Sequence, residues 1–135
     1  MLKTIVRYFS TTRPEAKYLR KKLIQNYEKD HGFCFCSICV EKMPLELLDV
    51  SHLCPRNTIS ANLIREIDNV EFMCKNCHSL WDRGLISVNN NGIITLKNDI
   101  FNYSIFHNLV GKYYSRYSSK NHNYILWHFN NIFLK

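Results

Sequence analysis

The sequence lacks any run of about 18 apolar residues, the length at which a helix could cross a membrane. It also lacks a recognisable secretory signal, because the N-terminal stretch MLKTIVRYFSTTRP has no apolar core of useful length. Acidic residues are scarce, 11 against 18 Lys and Arg, which gives a net charge of +7. We therefore expect an intracellular protein with no membrane span and a polyanionic partner, nucleic acid first.

The first 13 residues contain Lys3, Arg7 and Arg13, several hydroxyl side chains and no acid. This composition also fits a mitochondrial presequence, so a mitochondrial location is a second expectation. The whole chain has 135 residues, of which 46% are hydrophobic, and it shows no internal repeat or domain boundary. Those values predict a single domain over residues 1–135.

Helical signals dominate the N-terminal third. Thr12 and Glu15 form a potential capping box, and Pro14 suits the first turn of a helix. Apolar side chains then recur at helical spacing up to Tyr27, among many Lys and Arg, and Gly32 can end the helix. The basic face is either solvated or in contact with phosphates.

Strand signals follow. The stretches LELLDVSHL and VEFMC predict two strands, with a short helix from Lys75 to Asp82. LISVNNNGIITLK predicts a hairpin, because Asn and Gly tolerate the positive φ of a tight turn. The aromatic tail from Tyr103 is expected to be helical, with a break around residues 118–123.

Six cysteines raise the choice between disulfides and metal ligands. Without a secretory context, the pairs Cys36-x-x-Cys39 and Cys74-x-x-Cys77 predict one closed, four-thiolate zinc site, which serves folding and not catalysis. Buried free thiols are the alternative, and Cys34-x-Cys36 offers a rival register. Cys34 and Cys54 are expected to stay uncoordinated.

A second group of polar residues lies between and after these pairs. His78 follows Cys77 directly, and Asp82 lies four positions later on the same helical face, so both side chains can reach one ion. His52 ends the first predicted strand, and Asn69 opens the second.

The motifs DVSHL, NVEFMCKNCH and CHSLWDRGL resemble the HNH nuclease superfamily, with its ββα-metal fold. The successive intervals are 17 residues from His52 to Asn69, 9 from Asn69 to His78 and 4 from His78 to Asp82, which suits that family. HSLWDRGLISVNNNG and NYILWHFNNIF also resemble its restriction-endonuclease-like branch. The resemblance covers about residues 34–96, where it implies a zinc-stapled ββα-metal core, and extends more loosely into the tail. Together with the residue patterns it predicts an α+β fold: a basic N-terminal helix over residues 1–33, this core and the following hairpin over 34–96, and a helical tail over 97–135.

The resemblance also implies roles. His52 would be the general base, His78 and Asp82 would hold a catalytic Mg²⁺ or Mn²⁺, and Asn69 would orient the base by pinning a loop. Many relatives carry a third metal ligand directly before the base histidine, where this chain has Ser51; Asp49 is the alternative candidate for that place. From their position beside the proposed site, Arg56 and Arg83 are candidate phosphate contacts. Arg83 is alternatively a structural partner of Asp82 or a charge at the helix C-terminus. Trp81 is expected to be core.

Two functions therefore remain open. The leading one is a metal-dependent endonuclease that hydrolyses DNA, as a homodimer if both strands are cut. The alternative is a non-catalytic, zinc-stabilised module that binds nucleic acid through its basic face.

Overall fold

The computed structural model describes residues 14–55 and 66–135. The predicted N-cap at Thr12, the basic stretch before it and the candidate phosphate contact Arg56 lie outside these ranges.

Helix α1 spans Pro14–His31 and buries one stripe of its surface. The stripe consists of Leu19, Leu23 and Tyr27, each at most 1% exposed. Gly32 ends the helix with φ 83° and donates its N–H to the Glu28 carbonyl at 2.9 Å. The helix predicted from spacing is confirmed, and its lysines, Lys17, Lys21, Lys22 and Lys29, are exposed.

The central unit is an antiparallel strand pair followed at once by a helix. Strand β1 spans Leu48–His52, β2 spans Val70–Cys74, and α2 spans Lys75–Asp82. Strand β1 starts later than its apolar pattern suggests, because Leu45–Leu47 form a 3-10 turn after Pro44. The two strands and the helix together form the ββα arrangement expected of the core.

A second hairpin covers the end of α2. Strands β3 (Ile86–Val88) and β4 (Ile94–Leu96) pair antiparallel. In the turn, the Asn89 side chain accepts hydrogen bonds from the N–H groups of Asn91 and Ile93, at 2.8 and 3.1 Å. Gly92 alone in this turn has a positive φ, 79°.

The tail is less helical than its sequence suggests. Helices α3 (Asn98–Phe101) and α4 (His122–His128) are joined through a 3-10 segment, Ser104–Leu109, and a stretch of turns. That stretch pairs with β4: the Ile94 N–H donates to the Lys112 carbonyl at 2.8 Å, so the sheet takes up backbone groups that a helix would need. A π-helical turn, Phe129–Phe133, ends the chain's regular structure.

The predicted α+β class, with a helix before the core, a hairpin after it and helices in the tail, is confirmed. No helix within the described ranges is both long and apolar enough to cross a membrane.

His128 fixes the tail to the core. Its ring stacks on Trp81 at 3.7 Å between centroids; Nε2–H donates to the Trp81 carbonyl at 2.8 Å, and Nδ1 accepts from the Ser87 hydroxyl at 2.7 Å. Burial lowers the pKa of His128 to about 4, so the ring is neutral at physiological pH. Trp81 is 1% exposed, which confirms it as core.

A buried ion pair, Glu71 with Arg116, joins three segments of the chain. Glu71 on β2 accepts from the Tyr27 hydroxyl at 2.9 Å and from Arg116 Nε at 3.1 Å. The Arg116 guanidinium lies over the Tyr27 ring at 4.2 Å. Burial raises the pKa of Glu71 to about 7 in spite of the nearby arginine. Helix α1, strand β2 and the tail are thereby linked through one carboxylate.

We predict that Gly84→Ala destabilises the fold by about 2–4 kcal/mol. Gly84 has φ 71°, and a Cβ there would lie 2.8 Å from the Ile132 carbonyl oxygen, which is backbone and cannot rotate away. Gly32→Ala is the matched control, because its φ is also positive but nothing lies within 4 Å of a Cβ. It should cost only about 1–2 kcal/mol. Urea denaturation measures both, and equal losses would contradict a close approach of the tail to Gly84.

We predict that His128 makes the fold less stable in acid. Its pKa is about 4 in the folded chain against an ordinary 6.5. The unfolded chain therefore binds a proton first as pH falls, and stability is lost between about pH 6.5 and 4, by up to about 3 kcal/mol. His128→Gln keeps a donor but does not titrate. The free energy of unfolding is measured for both proteins at pH 7 and 4.5, and the value of the variant is subtracted from that of the wild type. Glu71, whose raised pKa has the opposite effect on stability, is present in both proteins and cancels in this subtraction. A pH-independent difference would contradict a buried neutral ring.

Candidate metal centres and active-site cleft

Four sulfur atoms meet where β2 turns into α2. The Sγ atoms of Cys36, Cys39, Cys74 and Cys77 all lie within 4.8 Å of one another, and all four thiols are free. The predicted register of the two pairs is therefore confirmed over the rival that used Cys34. Cys34 and Cys54 lie outside the cluster.

Backbone hydrogen bonds shape both halves of this cluster. In the first, the Val40 N–H donates to the Cys36 carbonyl at 2.8 Å, and Val40 takes φ 55°, rare for a β-branched residue. The Ser37 N–H donates to the Phe72 carbonyl at 2.8 Å, which docks this turn on β2. In the second, Cys74 is the N-cap of α2, and its sulfur accepts the Cys77 N–H at 3.5 Å.

The donor set fits a structural zinc ion. Tetrahedral zinc with sulfur at about 2.3 Å places sulfur atoms about 3.8 Å apart, which is compatible with sulfur atoms that all lie within 4.8 Å of one another. Hydrogen bonds from neighbouring thiols lower the pKa of Cys39 to about 7 and lower that of Cys74. Thiolates, the form that binds zinc, are therefore favoured at two of the four positions. The cluster suggests zinc binding and leaves no position for a substrate.

A separate open cleft lies on the far side of α2. Its volume is about 1020 Å³, and α1 forms one wall through Ala16, Leu19 and Arg20. Arg20 fixes that wall, because its guanidinium donates to the Leu48 carbonyl at 2.8 Å. The opposite side brings together the polar residues Asp49, His52, Lys75, His78, Asp82 and Arg83.

His78 lies between two carboxylates in this cleft. Its Nδ1 is 2.9 Å from Asp49 Oδ2, and its Nε2 is 3.1 Å from Asp82 Oδ2. Burial disfavours the charged ring, but both hydrogen bonds outweigh it and raise the pKa of His78 to about 9. Burial raises the pKa of Asp49, but the contacts of this carboxylate with His78 and Lys75 outweigh that effect and lower its pKa. The His78 ring is therefore charged at physiological pH and paired with both carboxylates.

The predicted pair His78 and Asp82 fits adjacent ligands of one ion. Two neighbouring oxygen or nitrogen ligands of octahedral Mg²⁺ lie about 3.0 Å apart, close to the 3.1 Å between Nε2 and Oδ2. Within residues 14–55 and 66–135, however, no second group of three or more His, Cys, Asp or Glu side chains converges as the four cysteines do. The reason is that Asp49 and Asp82 occupy different nitrogens of the His78 ring.

His52 ends β1 and is half-buried at the edge of the cleft. The chain directly after it is held by Asn69: the Cys54 N–H donates to Asn69 Oδ1 at 2.8 Å, and Asn69 Nδ2 donates to the Cys54 carbonyl at 3.0 Å. The Leu53 N–H donates to the Asn69 carbonyl at 2.8 Å. Asn69 is fully buried and so holds the loop without reaching the cleft.

Of the two remaining predicted site residues within the described ranges, Arg83 lines the cleft and Ser51 does not. Ser51 is fully buried opposite Glu71, and its hydroxyl has no hydrogen-bond partner among the described residues. The structure does not bring Ser51 to the cleft. Arg83 lines the cleft, and its Nε donates to the Ser79 hydroxyl at 3.2 Å rather than pairing with Asp82.

Sequence reasoning missed the role of Lys75 and left the reach of Asp49 uncertain. Lys75 forms a close ion pair with Asp49 across the junction of β1 and α2. A signal was available, because Lys75 and His78 are three apart at the start of a predicted helix and therefore share one face. Which strand residue meets that face depends on the strand pairing, which spacing does not reveal.

The fold and the sites together define a class: a small ββα domain with a four-cysteine structural centre and a separate polar cleft. Residues 36–89 match the family model described as HNH endonuclease, a segment that runs from the first cluster cysteine to the end of β3. No curated protein matches the chain. The match confirms the resemblance of this part of the chain to the HNH endonuclease superfamily and supports a nuclease-type function in general.

We predict one zinc ion per chain, lost together with the fold when any cluster cysteine is removed. Zinc binding contributes on the order of 10 kcal/mol to small zinc domains, so Cys36→Ser or Cys77→Ser should unfold most of the protein. Cys34→Ala is the matched control, since Cys34 lies outside the cluster. Metal analysis with thermal denaturation measures both properties. A Cys34→Ala variant that loses zinc would contradict this ligand set.

Proposed function

We propose that the chain is a metal-dependent endonuclease that hydrolyses phosphodiester bonds of DNA. The observation that carries the proposal is that one open cleft of an HNH domain contains His52 together with His78 and Asp82. A domain needed only for zinc-supported folding has no use for this second group. The domain itself is taken as one unit over residues 1–135, with its catalytic core in 34–96.

His52 is the general base in this proposal. A neutral imidazole accepts a proton near physiological pH, and His52 would take one from the water that attacks phosphorus. Asn69 acts as a positioning residue, because its hydrogen bonds fix the chain at Leu53 and Cys54, directly after the base. The products would be a 5′-phosphate and a 3′-hydroxyl.

His78 and Asp82 are the proposed holders of one Mg²⁺ or Mn²⁺ ion. The ion, when bound, stabilises negative charge on the scissile phosphate and on the departing 3′ oxygen. His78 must first release the Nε2 proton that it shares with Asp82. Asp82 is well exposed, with 59% of its side chain accessible, which leaves room for water and phosphate ligands. Mg²⁺ suits such a site because it retains several waters.

DNA is the proposed substrate because the chain has a net charge of +7 and cations border the cleft. Arg83 lines it, and the exposed lysines Lys17, Lys21 and Lys22 lie on α1, the helix that forms one wall. Phosphate contacts of this kind give affinity that falls with salt. One catalytic centre cuts one strand at a time, so double-strand cleavage would require a homodimer or two successive nicks. A restriction-like role remains a prediction.

We predict that His52→Ala lowers plasmid cleavage with Mg²⁺ or Mn²⁺ by about 10²–10⁴-fold while zinc content stays the same. The loss follows from removing the only proposed proton acceptor for the attacking water. His107→Ala is the matched control, a histidine that is exposed on the tail and does not line the cleft. It should cleave like wild type.

Two results would overturn the proposal. Unchanged cleavage by zinc-loaded His52→Ala would remove His52 from the reaction. A zinc-loaded wild type that binds single- and double-stranded DNA but cuts neither, with either metal, would instead favour the non-catalytic nucleic-acid-binding module.

A further inference from the structure

Four side chains form one continuous chain of polar contacts along the cleft: Lys75, Asp49, His78 and Asp82. Asp49 is paired with Lys75 and with His78 Nδ1, and Asp82 is paired with the opposite ring nitrogen. The two carboxylates that contact His78 are therefore not equivalent, since the imidazole separates them.

The two ring nitrogens of an imidazole point away from each other, so one ion bound at His78 can share only one of these carboxylates as a neighbouring ligand. Asp82 is the better fit: it comes from the same helix face at i+4, and its side chain is 59% accessible. Asp49 is only 26% accessible and is already paired with the Lys75 ammonium. Asp49 is thus placed to hold the ring, not to join a coordination shell.

We propose that Asp49 is a positioning residue for His78: its carboxylate accepts Nδ1–H, fixes the ring orientation and leaves Nε2 for the divalent ion beside Asp82. This inference rests on the proposed metal-dependent function. It assigns to strand β1 a role that neither the family match nor the residue spacing gives. Metal-binding histidines commonly donate their other ring N–H to a carboxylate, and losing that partner weakens metal binding by about 10–100-fold.

Lys75 completes the arrangement. Its ammonium contacts Asp49 from the first turn of α2, three residues before His78 on the same helix. The ammonium partly neutralises the carboxylate, so Asp49 orients the ring without competing with Asp82 for the ion. The same contact joins β1 to the helix that carries both proposed ligands.

The test measures Mn²⁺ binding to zinc-loaded protein by electron paramagnetic resonance, independently of cleavage. Asp49→Ala should weaken Mn²⁺ binding by about 10–100-fold. Asp49→Asn keeps an oxygen that can accept Nδ1–H and should recover most of the affinity. Glu46→Ala is the matched control, because Glu46 is an exposed acid that lines the same cleft without contacting His78. Asp82→Ala should abolish binding.

A spectroscopic readout separates orientation from a general structural effect. In Mg²⁺-loaded protein, ¹⁵N correlation spectra of His78 should give the single tautomer protonated at Nδ1 in wild type and in Asp49→Asn. In Asp49→Ala, His78 should lose this single tautomer. Unchanged zinc content in every variant establishes that the fold is retained.

The outcomes are distinct. If Asp49→Ala binds Mn²⁺ like wild type, or if Asp49→Asn is as weak as Asp49→Ala, the positioning role is overturned while the endonuclease proposal stands. If zinc-loaded wild type binds no Mn²⁺ at all, the proposed metal-dependent function fails first. If Glu46→Ala weakens Mn²⁺ binding as much as Asp49→Ala does, Asp49 acts only through its negative charge, and the inference is also overturned.

Discussion

Helix α2 has eight residues, too few for a helix to be stable alone, so its position depends on the cysteine pair in its first turn. Cys74 caps this helix and Cys77 lies within it, and both meet the turn at Cys36 and Cys39, which 34 intervening residues separate from Cys74. The turn at Cys36 and Cys39 is itself bonded to β2, because the Ser37 N–H donates to the Phe72 carbonyl. Every polar residue that α2 presents to the cleft is therefore placed by the sulfur cluster.

A second set of contacts places the other half of the cleft. Two side chains hold the chain that follows His52. Asn69, directly before β2, forms hydrogen bonds with the Cys54 backbone. The indole N–H of Trp81 on α2 donates to the Leu53 carbonyl at 3.2 Å. Trp81 also carries the stacked His128 of the tail. The tail thus supports the position of His52, the proposed base, through one buried side chain, although it contributes none of the polar residues of the cleft. Strand, helix and tail fix the position of His52 together.

Local motifs predicted most of this arrangement because their chemistry is set by short spacing. The cysteine pairs, the helix Lys75–Asp82 and the hairpin all depend on residues within a few positions of one another. Contacts between distant segments were not predictable in the same way. The Glu71 network joins residues 44 and 45 positions apart, and the contact of Asp49 with His78 spans 29. Neither follows from periodicity, since each requires knowing which strand neighbours which helix.

Cys77 and His78 are adjacent in sequence, yet they belong to two centres of different chemistry. Successive helix residues are about 100° apart, so Cys77 can face the sulfur cluster while His78 faces the cleft. Ligand chemistry then separates the ions: four thiolates select zinc in a closed site, whereas carboxylates with water favour Mg²⁺ or Mn²⁺. The closed centre holds the helix that carries the open one. A single short helix can therefore support a structural ion and a proposed catalytic ion without exchange of ligands between them.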